Sequence, residues 1–367
     1  MKYSSDDNFF MDYAIRLAAR NVGNTGENPS VGCVITSNNK IISIGVTGKN
    51  GTPHAEHNAI YSIKNFPINT TVYVTLEPCS HSGKNPPCTN LLIKKKVKRV
   101  VIAQKDPNPI VNGEGIKLLK TNGIQVDYGI SEKLAQENHI GFINNIKYKF
   151  PEINIKVASS KNGFTIPEEG EKWITNYLSR SYGHVLRSNH DAIMVGINTV
   201  LSDNPSLDCR LNGLKDRSPI KLIVDTDLKT PLDSILVENA KNDLVIFTNT
   251  LNDNKINSYE KKGIKIIHIE KNNKGYLKID DILSFLNKMN INRLLIEGGS
   301  TLSSSFLDKN KVNLVYWFSS QTDLNSGKSL NKYDKKLNNL RNSQNFLLKD
   351  SINLRDNKLE IFSFRKD

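Results

Sequence analysis

The chain has 367 residues, a formal net charge of +13, and four cysteines. This length predicts about two domains, and without a long apolar run or an apolar signal-peptide core we expect neither a membrane span nor an exported protein. Because four cysteines are too few for a disulfide scaffold, we expect a cytoplasmic protein.

Residues 1–149 alternate helical and strand patterns, which is typical of an α/β/α sandwich. Asp6 or Asp7 is expected to cap the first helix. Helices are predicted at residues 7–22, 54–65, 88–96 and after Gly115, and strands at residues 31–35, 41–46, 72–76, 100–103 and 124–128.

The most specific motif of this half is His54-Ala55-Glu56, followed by Pro78-Cys79 and then Cys88. One imidazole and two thiolates can bind zinc tetrahedrally and leave the fourth position to water. Zinc lowers the pKa of that water, and Glu56 is placed to move its proton. This pattern is the signature of zinc deaminases that act on nitrogen rings. A His-Ala-Glu alone is more often an ordinary helix start, so the prediction depends on all three parts.

Eight residues separate Cys79 from Cys88, whereas nucleic-acid deaminases of this type have two. The longer loop adds polar groups beside the metal, and we expect His81 and Lys84 to be the candidates for contacting the substrate. Gly83 and the two following prolines also explain the loop as a simple turn. Asn28, at the start of the first strand, could bond a substrate ring or form an Asx turn.

Residues 150–367 again alternate strands and helices, which predicts a mostly parallel sheet covered on both faces. A helix is expected from Trp173 to Arg187. In such sheets ligands bind at the carboxyl ends of strands. The strand at 294–296 runs into Glu297-Gly298-Gly299-Ser300, where backbone N–H groups at a helix start suit a cofactor phosphate. A plain tight turn explains the two glycines equally well.

Several motifs together resemble the bifunctional riboflavin-biosynthesis deaminase/reductase family. They are residues 28–34, 54–56, 75–83, 86–88 and 106–109 in the first half, and 156–160, 173–175, 191–207 and 297–300 in the second. The resemblance implies a cytidine-deaminase-like domain (1–149) and a dihydrofolate-reductase-like domain (150–367). It also implies one zinc ion, NADPH, a small phosphorylated pyrimidine substrate and a homo-oligomer. The family deaminates a diaminopyrimidinone that carries a phosphoribosylamino group and then reduces its ribose.

The resemblance also assigns residues by matching position. NADPH would contact Ala158, Trp173, Thr199, Asp203, Thr226, Gly299, Ser300, Thr301, Leu302, Ser303, Ser304 and Ser305. Substrate would contact Glu171, Arg187, Leu207, Arg210 and Glu297 in this half, with the two arginines suited to the phosphate. The chain departs from the family at Lys161, Asn162 and Glu171, and a carboxylate at Glu171 would repel a phosphate.

Two other interpretations stay open at this stage. A deaminase of nucleic-acid bases with a C-terminal binding domain fits the positive charge, although no basic stretch is interleaved with aromatic residues. A structural zinc site would need a fourth protein ligand, for which His81 and His57 are the candidates.

Overall fold

The computed structural model describes residues 4–81, 86–109, 111–167, 173–324, 327–329 and 345–364. The chain divides into two compact units, Met1–Phe150 and Pro151–Asp367. Each unit has its own sheet and its own hydrophobic core. Among the described residues, no helix combines the length and the apolar character that crossing a bilayer requires.

The first unit is a five-stranded sheet in the order β2-β1-β3-β4-β5, with helices packed against it. Strands β1 and β2 form a hairpin, and β3, β4 and β5 run parallel. The elements are α1 (Ser5–Ala19), β1 (Gly32–Ser37), β2 (Lys40–Val46), α2 (Ala55–Tyr61), β3 (Thr70–Leu76), α3 (Cys88–Lys94), β4 (Arg99–Gln104), α4 (Glu114–Thr121), β5 (Gln125–Tyr128) and α5 (Glu132–Tyr148).

Helix α1 begins earlier than predicted, because Ser4 rather than Asp6 or Asp7 is the N-cap. The Ser4 hydroxyl accepts the Asp7 N–H at 3.1 Å, and the Asp7 carboxylate accepts the Ser4 N–H at 3.3 Å, which is a capping box. Asp7 is buried and also accepts bonds from Arg99 at 2.7 Å and from the Tyr73 hydroxyl at 2.8 Å. A polar cluster therefore fixes α1 to strands β3 and β4.

The second unit contains a nine-stranded sheet in the order β11-β10-β9-β8-β12-β6-β13-β16-β15. The six pairings from β11 to β13 are parallel, as predicted. The elements are β6 (Glu152–Ser159), β7 (Phe164–Pro167), α6 (Tyr177–Ser188), β8 (Ala192–Gly196), α7 (Ile197–Asp203), β9 (Ile220–Val224), α8 (Ile235–Glu238), β10 (Leu244–Thr248), α9 (Asp253–Glu260), β11 (Lys265–His268), α10 (Ile279–Lys288), β12 (Arg293–Glu297), α11 (Ser300–Leu307), β13 (Leu314–Ser320), β14 (Gly327–Ser329), β15 (Phe346–Leu354) and β16 (Asn357–Phe364).

Helix α6 starts at Tyr177, so the prediction that Trp173 opens it was wrong. Asn176 is the N-cap, and its side-chain oxygen accepts the Ser179 N–H at 3.0 Å. Asparagine stabilises a helix start in this way, whereas tryptophan cannot. Trp173 therefore lies in the segment before the helix and is 54% exposed.

Candidate active sites

Three side chains of the first unit converge where α2, α3 and the end of β3 meet. His54 is the N-cap of α2, Cys88 is the first residue of α3, and Cys79 follows β3. His54 Nδ1 lies 3.6 Å from Cys79 Sγ and 3.4 Å from Cys88 Sγ, and all three ligand atoms lie within 4.8 Å of one another. No backbone movement is needed to bring these atoms around one ion.

The donor set and its spacing fit zinc. Zinc bonds of about 2.3 Å to sulfur and 2.0–2.1 Å to nitrogen place neighbouring ligands of a tetrahedron about 3.6 Å apart. The two observed nitrogen–sulfur distances, 3.6 and 3.4 Å, agree with that value. Among the described residues, these three form the only such group. A fourth protein ligand, which a structural site needs, is therefore missing from the part of the chain that is described.

Neither histidine proposed as a fourth ligand belongs to this group of ligand atoms. His57 is buried, its ring centroid is 6.4 Å from that of His54, and its Nε2 lies 3.2 Å from the Pro86 carbonyl oxygen. His81 is exposed. His57 therefore contacts the inter-cysteine loop rather than the ligand cluster.

Glu56 lies in the first turn of α2 and is only 4% exposed. Burial, followed by the negative Cys79, raises the pKa of its carboxyl to about 7. Desolvation penalises the charged form of an acid, and a neighbouring thiolate adds to that penalty. Glu56 is thus a buried carboxyl beside the three ligand atoms with a pKa near neutrality.

The two thiols of the cluster differ in acidity. Hydrogen bonding from Cys88 lowers the pKa of Cys79 to about 4, with a further contribution from His54. The same contact raises the pKa of Cys88, and hydrogen bonding to Cys79 raises the pKa of His54. A bound cation would favour both thiolates, because a coordinating thiol is deprotonated.

Asp106 is a residue at this site to which the sequence analysis gave no role. It follows β4, and burial raises the pKa of its carboxyl to about 6. Glu77 and Cys79 raise this pKa further and His81 lowers it, and the Asp106 N–H donates to Glu77 Oε2 at 3.2 Å. A polar residue directly after a parallel strand is the signal that could have identified it.

Asn28 lies beside the segment that leads into His54. Its side-chain nitrogen would be 2.0 Å from a Cβ placed on Gly51, which has φ +86°. The Asn28 carbonyl accepts the Thr25 hydroxyl at 2.7 Å. Glycine is therefore required at position 51, and the Asn28 side chain packs against that turn.

The second unit has a polar pocket beside the carboxyl ends of β6 and β12. It brings together four of the predicted site residues, Trp173, Arg187, Arg210 and Glu297. The other residues that line it are Lys156, Thr175, Ser179, Arg180, Gly183, His184 and Phe318. Arg180, His184 and Arg187 are spaced by four and three residues, so one face of α6 carries all three. That periodicity is the sequence signal that could have added Arg180 and His184.

Glu297 and Arg187 form a bidentate ion pair inside this pocket. Arg187 Nε and Nη2 donate to the two Glu297 oxygens at 2.8 and 2.9 Å, and Nη1 donates to the Asp208 carbonyl at 3.1 Å. Lys156 Nζ lies 3.9 Å from Glu297. Burial of Glu297 would raise its pKa, but Arg187 and Lys156 outweigh burial and lower it to about 2. Glu297 is therefore a fixed negative charge.

The other residues predicted to bind substrate lie in different environments. Arg210 is half-exposed and its Nη1 donates to Asp208 at 2.7 Å and to the Ser206 hydroxyl. Leu207 is 2% exposed and packs in the hydrophobic core, so the structure does not bring its side chain to the pocket lining. Glu171 lies outside the described residues.

The glycine turn after β12 brings some predicted cofactor residues together. Gly298 has φ +71°, and a Cβ there would be 2.8 Å from Thr199 Oγ1 on α7, so only glycine fits. Gly299 is the N-cap of α11, which holds the following six predicted residues from Ser300 to Ser305. Within it, Leu302 and Ser303 are buried, and Ser304 and Ser305 donate back to helix carbonyls.

The remaining residues predicted to bind the cofactor lie farther apart in the chain, on different elements. Ala158 packs against the core from β6. Asp203 ends α7 and accepts the Ser202 hydroxyl at 2.7 Å. Thr226 follows β9, and its carbonyl accepts the Asn249 N–H at 2.9 Å. These residues are distributed along the carboxyl ends of β6, β8 and β9.

Known proteins match both units. Residues 4–104 match the cytidine and deoxycytidylate deaminase zinc-binding region, and residues 151–319 match the RibD C-terminal domain. Riboflavin biosynthesis protein RibD of Actinobacillus pleuropneumoniae is 38% identical over 84% of this chain and 82% of that protein. The Escherichia coli protein of the same name is 33% identical over 84% and 87%.

Solved structures agree over the whole length. Acinetobacter baumannii RibD is 32% identical with a TM-score of 0.86, covering 98% of this chain and 99% of that one. A Thermotoga maritima diaminohydroxyphosphoribosylaminopyrimidine deaminase/5-amino-6-(5-phosphoribosylamino)uracil reductase is 30% identical with a TM-score of 0.83 and the same coverage. The fold class predicted from the sequence is thereby confirmed. A zinc-binding deaminase region and a reductase domain in one chain, matched end to end, show that this chain belongs to the bifunctional deaminase/reductase family of riboflavin biosynthesis.

Proposed function

We propose that this chain catalyses two consecutive reactions on one substrate. The first is hydrolytic deamination of 2,5-diamino-6-(5-phosphoribosylamino)pyrimidin-4-one, and the second is reduction of the ribosyl group to a ribityl chain with NADPH. The convergence of His54 Nδ1, Cys79 Sγ and Cys88 Sγ beside a buried Glu56 is the observation that carries the proposal. We assign the second reaction, the reduction, to the polar pocket of the second unit.

In the first site, His54, Cys79 and Cys88 would hold one zinc ion. When bound, zinc supplies a water of lowered pKa and leaves one coordination position open. Glu56 would take one proton from that water and deliver it to the ring nitrogen. It would then move the second proton, from the hydroxyl added to the carbon, to the amine, which leaves as ammonia. Such proton transfer typically contributes about 10²–10⁴-fold in rate. Asn28, His81 and Asp106 are the residues that we propose to orient the pyrimidine.

In the second site, Arg187 is bonded through all three nitrogens, to Glu297 and to the Asp208 carbonyl. We infer that Arg187 orients Glu297 as an acceptor for the substrate, while Arg210 and Lys156 attract the phosphate. Arg210 is half-exposed and would exchange Asp208 for the phosphate. NADPH, when bound, would supply a hydride to C1 of the ring-opened ribosyl group in its imine form, so that the C=N bond becomes a single bond and the nitrogen takes up one proton. The Gly298-Gly299 turn and the start of α11 would hold its phosphates.

The other predictions concern assembly and competing substrates. A nucleic-acid base deaminase is disfavoured because the relatives match both units of the chain and are named for riboflavin biosynthesis. The homo-oligomeric state and the cytoplasmic location stay predictions. A cytoplasmic location would keep the free Cys79 and Cys88 reduced for metal binding.

The test is the stoichiometry of the two reactions. Zinc-loaded protein is mixed with the phosphoribosylated diaminopyrimidinone and NADPH, and released ammonia and consumed NADPH are both measured. We expect equal amounts. Ammonia without NADPH consumption would contradict the reductase half, and Glu171, Lys161 and Asn162 would be the first positions to change. A zinc-loaded protein that releases no ammonia would contradict the deaminase half.

A further inference from the structure

The N-terminus of α4 is capped by a residue from another element. Its N-cap position is Gly113, which has φ +87° and no side chain to accept a bond. The Glu77 carboxylate fills that role from the end of β3. Its Oε2 accepts the Gly113 N–H at 3.0 Å, and its Oε1 accepts the Ile116 N–H at 3.1 Å. A carboxylate at a helix N-terminus is favoured by the orphan N–H groups and by the helix dipole.

The same carboxylate also reaches the segment that precedes α4. Glu77 Oε2 accepts the Asp106 N–H at 3.2 Å, and the Asp106 carboxylate in turn accepts the Asn108 N–H at 2.8 Å. The Glu77 backbone N–H donates to the Gln104 carbonyl at 2.9 Å, at the end of β4. Glu77 therefore bonds the end of β4, the segment after it and the start of α4.

The Glu77 side chain is buried against the first turn of α4 and does not cap the helix from the surface. Glu77 is 3% exposed. A Cβ placed on Gly115 would lie 2.3 Å from the Pro78 carbonyl oxygen and 3.1 Å from Glu77 Oε1. The first turn of α4 thus rests directly on Glu77 and Pro78, the two residues that lead into Cys79.

We propose that Glu77 is a positioning residue of the deaminase site, which holds Asp106 in place against the strand end that carries Cys79. A simple helix cap would need only the bonds to Gly113 and Ile116. The bond to the Asp106 N–H is the one that joins the cap to the site. Glu77 does not itself contact the ligand atoms in this role; it acts through the backbone of Asp106. The inference rests on the proposed deaminase function.

The test compares Glu77→Gln with Glu114→Gln, measured on the full chain. Glutamine is nearly isosteric but has one oxygen, and its amide nitrogen would face backbone N–H donors. Glu114 is a matched control, since it lies in the first turn of the same helix, is exposed, and pairs with Lys117 at 3.8 Å. Deaminase kcat and KM are normalised to bound zinc, and the reductase rate on deaminated substrate serves as an internal reference.

We expect Glu77→Gln to lower deaminase kcat/KM per zinc by about 10²-fold, the scale of an ångström-sized misplacement. The reductase rate of Glu77→Gln should stay within about twofold of the wild-type rate. The deaminase kcat/KM per zinc of Glu114→Gln should do the same, because neither quantity depends on the Asp106 segment. Hydrogen exchange should quicken at the Asp106, Gly113 and Ile116 amides. A kcat/KM per zinc equal to that of Glu114→Gln would overturn the proposal, since a purely structural role lowers zinc content and stability but not the activity of zinc-loaded chains.

A second variant covers the case in which Glu77→Gln does not fold. Glu77→Asp keeps the negative charge but is one methylene shorter, so it cannot reach all three amides. It should show a smaller loss of kcat/KM per zinc, and no loss would again overturn the proposal. If the wild-type chain itself releases no ammonia, the proposed function fails instead, which separates the two outcomes.

Discussion

Each of the two sites contains a buried glutamate, and the two have opposite acidities. Glu56 is 4% exposed and has a pKa raised to about 7, whereas Glu297 is 7% exposed and has a pKa lowered to about 2. Burial acts in the same direction on both. The difference comes from the neighbours, which are Cys79 for Glu56 and the cations Arg187 and Lys156 for Glu297.

This contrast matches the two kinds of chemistry. A general acid–base residue needs a pKa near the working pH, because it must both accept and release a proton. A carboxylate held by a bidentate arginine stays charged and fixes geometry instead. Burial alone therefore does not indicate what a glutamate does, and the charges in contact with it do.

The largest effect is expected from a substitution that removes proton transfer by Glu56. Glu56→Gln should keep zinc, since the ligand atoms are untouched, and should lower the deaminase kcat by about 10²–10⁴-fold. The reductase rate should not change. Ammonia release and bound zinc measured on the same sample check this. A variant that keeps most of its deaminase activity would refute the proposed role.

The second largest effect is expected from breaking the ion pair between Glu297 and Arg187. Glu297→Gln should abolish reduction and destabilise the second unit by about 3 kcal/mol, because it leaves the Arg187 charge buried with a weakened partner. Deamination should persist. The control is Glu270→Gln, which removes an exposed pair with Lys278 and should leave the unfolding curve unchanged. Unchanged stability in Glu297→Gln would show that Arg187 finds another partner.

The smallest effect concerns Asp7, a carboxylate with a structural role. Burial would raise its pKa, but bonds from Arg99 and Tyr73 lower it to about 2. Its stabilisation is therefore present above the unfolded pKa of about 4 and is lost as the pH falls through about 2. Asp7→Asn should cost about 2 kcal/mol at neutral pH and reduce the acid sensitivity of the first unit.

The free energy of unfolding of the first unit in urea, monitored by the release of zinc at several pH values, measures this effect. Asp6→Asn, at an exposed position, is the control. An acid sensitivity in Asp7→Asn equal to that of the wild type would show that another group dominates at low pH.

Local patterns predicted the alternation of strands and helices well, but not contacts made across the chain. His54, Cys79 and Cys88 stand out because metal ligands require particular residue types at short spacing. Glu77 gives no such signal, since the glycine that it compensates for at position 113 lies 36 residues away. The helix expected from Trp173 starts at Tyr177 because its cap is Asn176. Strands β15 and β16 were not predicted, and they lie in a part of the chain that is rich in asparagine and lysine.

The strand order of the second unit has a consequence for synthesis on the ribosome. Strand β6 pairs with β12 and β13, and the Glu152–Arg293 contact at the start of β6 and β12 spans 141 residues. The first unit can fold once residue 150 has emerged, but β6 must then wait, unpaired, for most of the remaining chain. Nascent or truncated chains that end before β12 therefore expose an apolar strand without a partner, and they are the forms that we expect to need chaperones.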